Sequence, residues 1–189
     1  PKDDIEGYKR SIAEVMEAFK TNNIKARERF GYRFNTEFVP AENLGVKNAK
    51  WDKEAKVPSP RDCYNSYFFP VEDADWTILD KLDVHGKEVA QYLDGGAACH
   101  LNLESIPTQK ACRQLMNLAA KKGVPYWTTN VLTTICKDCG RIDPFTRDTC
   151  KYCGSDNVEY ATRVIGYLKP ISSFSKARQH EAGLRYYNK

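Results

Sequence analysis

Four of the seven cysteines stand in two copies of one short pattern, Cys136-Lys-Asp-Cys139-Gly140 and Cys150-Lys-Tyr-Cys153-Gly154, with ten residues between the second and third thiols. Two such knuckles can present four thiolates to one tetrahedral ion at about 2.3 Å each. The glycine after each pair permits a left-handed turn that aims amide hydrogens at sulfur. A redox Cys-x-x-Cys and a disulfide pair are the rival readings; the doubled, glycine-trailed spacing favours zinc. Four protein ligands leave no open position, so the site is expected to be structural. The surrounding stretch has too few apolar side chains to fold without metal. Asp143-Pro144 is expected at the tip of the intervening hairpin. The remaining thiols, Cys63, Cys99 and Cys112, read as small core residues, and an odd cysteine count fits reduced thiols better than a disulfide framework.

Ten residues beyond Cys153 the chain reads Arg163-Val164-Ile165-Gly166-Tyr167-Leu168. From composition alone, a glycine inside an apolar run is a strand bulge marking close backbone approach. Its chemistry has a second side. A backbone radical is delocalised over the flanking amide only if the α-carbon can become planar, and glycine has no side chain to crowd that geometry.

The elements that must position these groups follow from periodicity. Ile5, Tyr8, Ile12, Val15, Met16 and Phe19 predict an amphipathic helix over roughly Asp4 to Asn22. Arg33 to Val39 predicts a strand, Ala41 to Ala49 a short helix, and residues 50–62 an exposed connection. Cys63 to Phe69, Ala97 to Leu103 and Val124 to Val131 predict further strands. Thr108 to Lys122, closed by Gly123 and Pro125, is the clearest helix. Strands alternating with helices imply an α/β layer or barrel with parallel pairing. After Asn130 the composition turns short, polar and cysteine-bearing, then basic and aromatic.

The chain has 189 residues, 41% hydrophobic and 29% charged, which is globular composition. A formal charge of +4 is too mild to argue for nucleic acid. No apolar run is long enough for a membrane span, and the N-terminus lacks a secretory signal, so the expectation is a cytoplasmic protein. His85 and His180 are expected at the surface.

The glycine segment, close to the C-terminus and shortly after four cysteines, resembles the glycyl-radical loop of anaerobic, class III ribonucleotide reductases. Phe34-Asn35-x-Glu37-x-x-Pro40-Ala41-Glu42 is similar to that family's Asn-x-Glu-x-x-Pro-Ala-Glu stretch. Tyr64-Asn65-Ser66 before Pro70-Val71 resembles its Asn-Ser loop. Gly95-Gly96 with His100 looks like its Gly-Gly…His strand, and Pro125-Tyr126-Trp127-Thr128 like its Pro-Tyr-aromatic-Thr strand. Their order and spacing carry the likeness across most of the chain, which resembles the C-terminal portion of the large subunit.

The resemblance implies part of a ten-stranded α/β barrel over residues 1–131, a zinc ribbon over 132–160, and a radical loop with tail over 161–189. It implies a radical at Gly166, made by a radical S-adenosylmethionine activase that removes a hydrogen. Val164, Ile165 and Leu168 would shelter it. Gly166 would then take hydrogen from a cysteine, and the thiyl would abstract the ribose 3′-hydrogen of a ribonucleoside triphosphate. Water would leave from C2′, and formate or a thiol would supply electrons. Pro40, Ala41 and Glu42 at a helix start would offer amides to phosphate. Asn65, Ser66, His100 and Asn102 would contact ribose or base, although helix capping and satisfaction of buried strand ends account for these residues equally well.

The thiyl cysteine, the ATP-cone and the first half of the barrel are not recognisable in this sequence. The chain is therefore expected to be a fragment or the downstream product of a split gene, inactive alone and working within a homodimer of the complete enzyme. The alternatives are a spare glycyl-radical module or a stand-alone zinc-ribbon binding module.

Overall fold

The computed structural model describes residues 4–38, 42–59, 61–65, 67–163 and 167–189, with residues 42 and 43 by their backbone alone. The fold is mixed α/β and divides into two compact units.

The first unit comprises Pro1–Val39, Tyr67–Leu101 and Thr108–Thr128. Helix α1 (Ile5–Phe30) starts where the Asp4 carboxylate accepts the Gly7 N–H at 2.7 Å. It runs eight residues past the end that its apolar stripe predicts. Residues 23–30 lack the stripe but are mostly good helix formers, and the helix stops only at Gly31, whose φ of 73° closes it. Strand β1 (Glu37–Phe38) is shorter than expected. It pairs in parallel with β2 (Gly96–Asn102), with Phe38 opposite Ala97, in a sheet ordered β1-β2-β3 where β3 is Tyr126–Asn130.

Helix α5 (Gln109–Lys122) follows the sequence closely, with Thr108 as its cap and Gly123 as its stop. The unit's core gathers Met16, Phe68, Phe69, Trp76, Val84, Val89 and Ala97.

None of the described residues of the predicted strand Cys63 to Phe69 lies in a strand. Phe68 and Phe69, adjacent in sequence, are both buried, through ring packing in the unit's core and not through a sheet ladder. The Phe68 ring packs on Phe38 and His85, and the Phe69 ring on Trp76. His85 itself is fully buried, against expectation, because its ring fills this aromatic cluster. Helix α3 (Ile78–Val84), which the strand pattern does not anticipate, is opened by a capping box between Thr77 and Asp80, and the single-turn helix α4 (Lys87–Ala90) follows it.

The second unit comprises Pro40–Ser66, Asn102–Pro107 and Thr129–Lys189. Helix α2 (Glu42–Glu54) overruns its expected end. An antiparallel sheet follows, ordered β5-β4-β6-β7, with β4 Thr133–Cys136, β5 Ile142–Asp143, β6 Val158–Arg163 and β7 Leu168–Pro170. A 3-10 turn (Ile171–Ser173) leads to helix α6 (Lys176–Leu184), capped by Ser175.

Asp143 is not at a hairpin tip. It is buried at the end of β5, where Arg147 Nε donates to it at 2.6 Å and Lys151 approaches to 3.2 Å. Among the described residues no helix is long and apolar enough to cross a membrane.

Candidate functional site

Strand β4 delivers Cys136 to the start of the first knuckle, and Cys150 opens the second. The ligand atoms of Cys136, Cys139, Cys150 and Cys153 all lie within 4.8 Å of one another. Cys136 Sγ is 3.6 Å from Cys153 Sγ, and Cys139 Sγ is 3.7 Å from Cys150 Sγ. A tetrahedron with metal–sulfur bonds of about 2.3 Å has edges of about 3.8 Å, so the four thiols fit a zinc ion.

The backbone is shaped for thiolates. The Cys139 N–H points at Cys136 Sγ (3.5 Å) and the Tyr152 N–H at Cys150 Sγ (3.4 Å). The latter bond, first among its influences, holds the Cys150 thiol below its ordinary value. Gly140 and Gly154 have φ of 70° and 76°, and their N–H groups close the turns on the Cys136 and Cys150 carbonyls. Asp138 ties the knuckles together by accepting from Ser155 and Asn157.

Strand β6 runs from this ribbon toward the glycine. It pairs with β7 so that Arg163 stands opposite Leu168. Gly166 falls in the four-residue connection, and residues 164–166 lie outside the described residues, as do Pro40, Ala41 and Ser66. Leu168, expected among the shielding neighbours, is 39% exposed and Tyr167 is 55% exposed. This chain leaves the Leu168 side chain open to solvent.

A buried polar network ends on the same strand. Partner β4 stops at Thr133, opposite Ala161, so Thr162 and Arg163 have no β4 neighbour. The Asn130 side chain replaces it: its Oδ1 accepts from the Thr162 hydroxyl and from the Arg163 N–H, each at 3.0 Å. An N–H can only donate, which fixes the Asn130 amide orientation. Its Nδ2 therefore donates to Asn102 Oδ1 (2.8 Å), leaving Asn102 Nδ2 as a buried donor without an acceptor among the described residues. The Arg163 carbonyl accepts from Arg185 Nη1 at 3.2 Å. Glu181 holds Arg185 bidentately, at 3.0 and 2.9 Å, and also takes Arg178 at 3.3 Å. Cys63 is buried near these charges, and burial pushes its thiol up.

The expected substrate residues are dispersed in character. His100 is buried in β2 with its ring edge-on to Tyr67. Asn102 is buried at the end of β2, whereas Asn65 is only partly buried. Glu42 opens α2. The sequence reading missed Asn130, Thr162, Glu181 and Arg185. The spacing of Arg178, Glu181 and Arg185 at steps of three and four on one helical face was the available signal.

The sequence profile described as anaerobic ribonucleoside-triphosphate reductase matches residues 2–187. The chain belongs to that family. No curated protein matches it at a significant level. Among solved structures it is similar to an anaerobic ribonucleotide reductase with 27% identity and a TM-score of 0.84, covering 97% of this chain and 29% of that one. It is also similar to the Thermotoga maritima anaerobic ribonucleotide reductase solved with dATP and CTP: 29% identity, TM-score 0.77, 93% of this chain and 28% of that one. The same enzyme with glycerol in the active site matches at 27% identity and a TM-score of 0.77. The chain thus spans less than a third of the length of these reductases.

Proposed function

We propose that this chain is the radical-bearing C-terminal part of an anaerobic ribonucleoside-triphosphate reductase, with Gly166 as the radical carrier. The observation that carries the reading is the family match over residues 2–187, combined with a four-sulfur cluster on the sheet whose strands β6 and β7 flank Gly166. A match that starts so far upstream of the ribbon speaks against a spare radical module or a stand-alone zinc ribbon.

In this reading Cys136, Cys139, Cys150 and Cys153 hold a structural zinc, which anchors the sheet whose strands β6 and β7 flank the glycine connection. Residues 1–131 belong to the ten-stranded barrel, 132–160 form the ribbon and 161–189 the loop and tail. The activase takes one hydrogen atom from Gly166. The glycine radical then takes a hydrogen atom from a cysteine in the remainder of the reductase, which also holds the ATP-cone. That thiyl abstracts the ribose 3′-hydrogen, the 2′-hydroxyl leaves with a proton as water, formate or a thiol supplies the two electrons that with a proton put hydrogen at C2′, and the cysteine returns the 3′-hydrogen. The exposed Leu168 faces the part of the barrel that this chain does not include.

Pro40, Ala41, Glu42, Asn65, Ser66, His100 and Asn102 are the substrate candidates. Asn102 stands out because its Nδ2 is buried and, among the described residues, lacks an acceptor, which a ribose or base oxygen would supply. A cytoplasmic setting and a homodimer of the complete enzyme go with this reading.

The test is nucleotide reduction by the chain combined with the rest of the reductase and the activase under anaerobic conditions. Reduction should depend on the chain and disappear with Gly166→Ala. Turnover that survives Gly166→Ala overturns the reading.

A further inference from the structure

Resting on the assignment of the radical to Gly166, we infer that Asn130, Arg185 and Glu181 are positioning residues that clamp the peptide leading into the radical loop. Three observations converge on one backbone unit. Strand β6 outruns its β4 partner at Ala161, so the Arg163 N–H would be left without a ladder acceptor. Asn130 Oδ1 supplies it, at 3.0 Å. On the carbonyl side of the same residue, Arg185 Nη1 donates at 3.2 Å. The donor is a guanidinium whose side chain is 2% exposed, held by a Glu181 carboxylate that is 3% exposed.

The arrangement is costly unless it has a purpose or full satisfaction. Arg178, Glu181 and Arg185 bring two cations and one anion into a largely dry region, where burial of charge is unfavourable without good partners. Part of this positive charge is directed at a backbone carbonyl oxygen, that of Arg163. A charge-assisted bond to a carbonyl is stronger than a neutral one. The carbonyl it fixes lies three residues before Gly166, a reach of at most about 11 Å along the chain. Leu168, two residues after Gly166, is fixed on the other side by pairing with Arg163. Both stems of the glycine connection therefore depend on Arg163, and Arg163 depends on Asn130 and Arg185.

Asn130 adds directionality. Its donor side reaches Asn102, whose own amide nitrogen has no acceptor among the described residues. Asn130→Asp keeps an acceptor for the Arg163 N–H while losing the donor to Asn102. Asn130→Ala loses both. The pair separates anchoring of the loop from the link to Asn102.

The experiment is electron paramagnetic resonance on the complete reductase, activated anaerobically, with zinc content as the check of folding. Asn130→Ala and Arg185→Gln should lower the yield of the Gly166 doublet by roughly tenfold, as loss of one hydrogen bond involving a charged or buried group does. The doublet splitting should change as well, because Arg163, at the start of the glycine connection, is no longer held on both sides. Asn130→Asp and Arg185→Lys should recover most of the yield. Should Asn130→Ala lose zinc or solubility, the Arg185→Gln and Arg185→Lys pair carries the test alone. A normal doublet in the parent, unchanged in yield and splitting in zinc-replete variants, overturns the clamp and leaves the radical assignment standing. A parent without any doublet overturns the radical assignment and the clamp with it.

Discussion

Cys136 and Cys153 are seventeen residues apart in sequence, yet their sulfurs lie 3.6 Å apart, the spacing of two corners of a zinc–thiolate tetrahedron. Metal affinity and folding of the ribbon are therefore one quantity, since four thiolates this close repel one another without a cation. The chain should bind about one zinc, and Cys136→Ser or Cys153→Ser should abolish binding and solubility together. Metal analysis of protein purified under reducing conditions checks the stoichiometry.

Buried charge in the second unit gives a separable stability prediction. Glu181→Ala removes the carboxylate that pairs with both Arg178 and Arg185 and should cost about 3–5 kcal/mol, the usual penalty for breaking a buried pair. Replacing Arg178, Glu181 and Arg185 together by methionine should recover much of that loss. Chemical denaturation of the zinc-loaded protein measures both.

Gly45 provides a test of sign. It sits inside helix α2, where alanine would ordinarily stabilise by up to about 1 kcal/mol. A Cβ at this position would run into the Tyr64 carbonyl, a backbone atom that cannot swing away, and would crowd Arg178 Nη2 at 3.1 Å. Gly45→Ala should therefore destabilise, by roughly 1–3 kcal/mol, as other overpacked sites do. A thermal melt that rises would count against this packing.

Acid should weaken the first unit through His85. Its Nδ1 is 2.9 Å from the Lys81 carbonyl, which only accepts, so the ring proton sits on Nδ1. Nε2 is buried without a partner among the described residues. Burial, reinforced by the nearby His100, lowers the ring from 6.5 to about 4, against the Lys81 carbonyl, which raises it. Below the ordinary value the unfolded chain accepts a proton that the folded chain refuses. Stability is thus complete above pH 6.5 and falls as pH drops toward 4, by about 3 kcal/mol in all. His85→Gln should flatten that limb of a stability–pH profile.

The parts legible in the sequence are those whose signals are local. The zinc ligands are set by spacing within two knuckles, and α5 by a cap, a stripe and a glycine stop. The end of α1 was missed because its last turns are helical by propensity and lack an apolar stripe. The Thr77 capping box closes with Asp80, where the familiar pattern has Glu or Gln, so its helix went unread. The aromatic run at Phe68 and Phe69 imitated a strand, although tertiary packing buries both neighbours. Asn130 could not be recognised from its surroundings at all. Its partners, Thr162 and Arg163, lie 32 and 33 residues away, and its importance comes from where β4 happens to stop. The charge pattern of α6 was present but looked like an ordinary basic tail until its burial was seen.

The most direct measurement is electron paramagnetic resonance of the activated reductase prepared with ordinary and with α-deuterated glycine. The remaining α-hydrogen of a Gly166 radical should split the signal into a doublet, which deuteration should collapse and Gly166→Ala should remove. A radical signal that keeps its splitting after deuteration, or that persists in Gly166→Ala, would place the unpaired electron elsewhere and contradict the account.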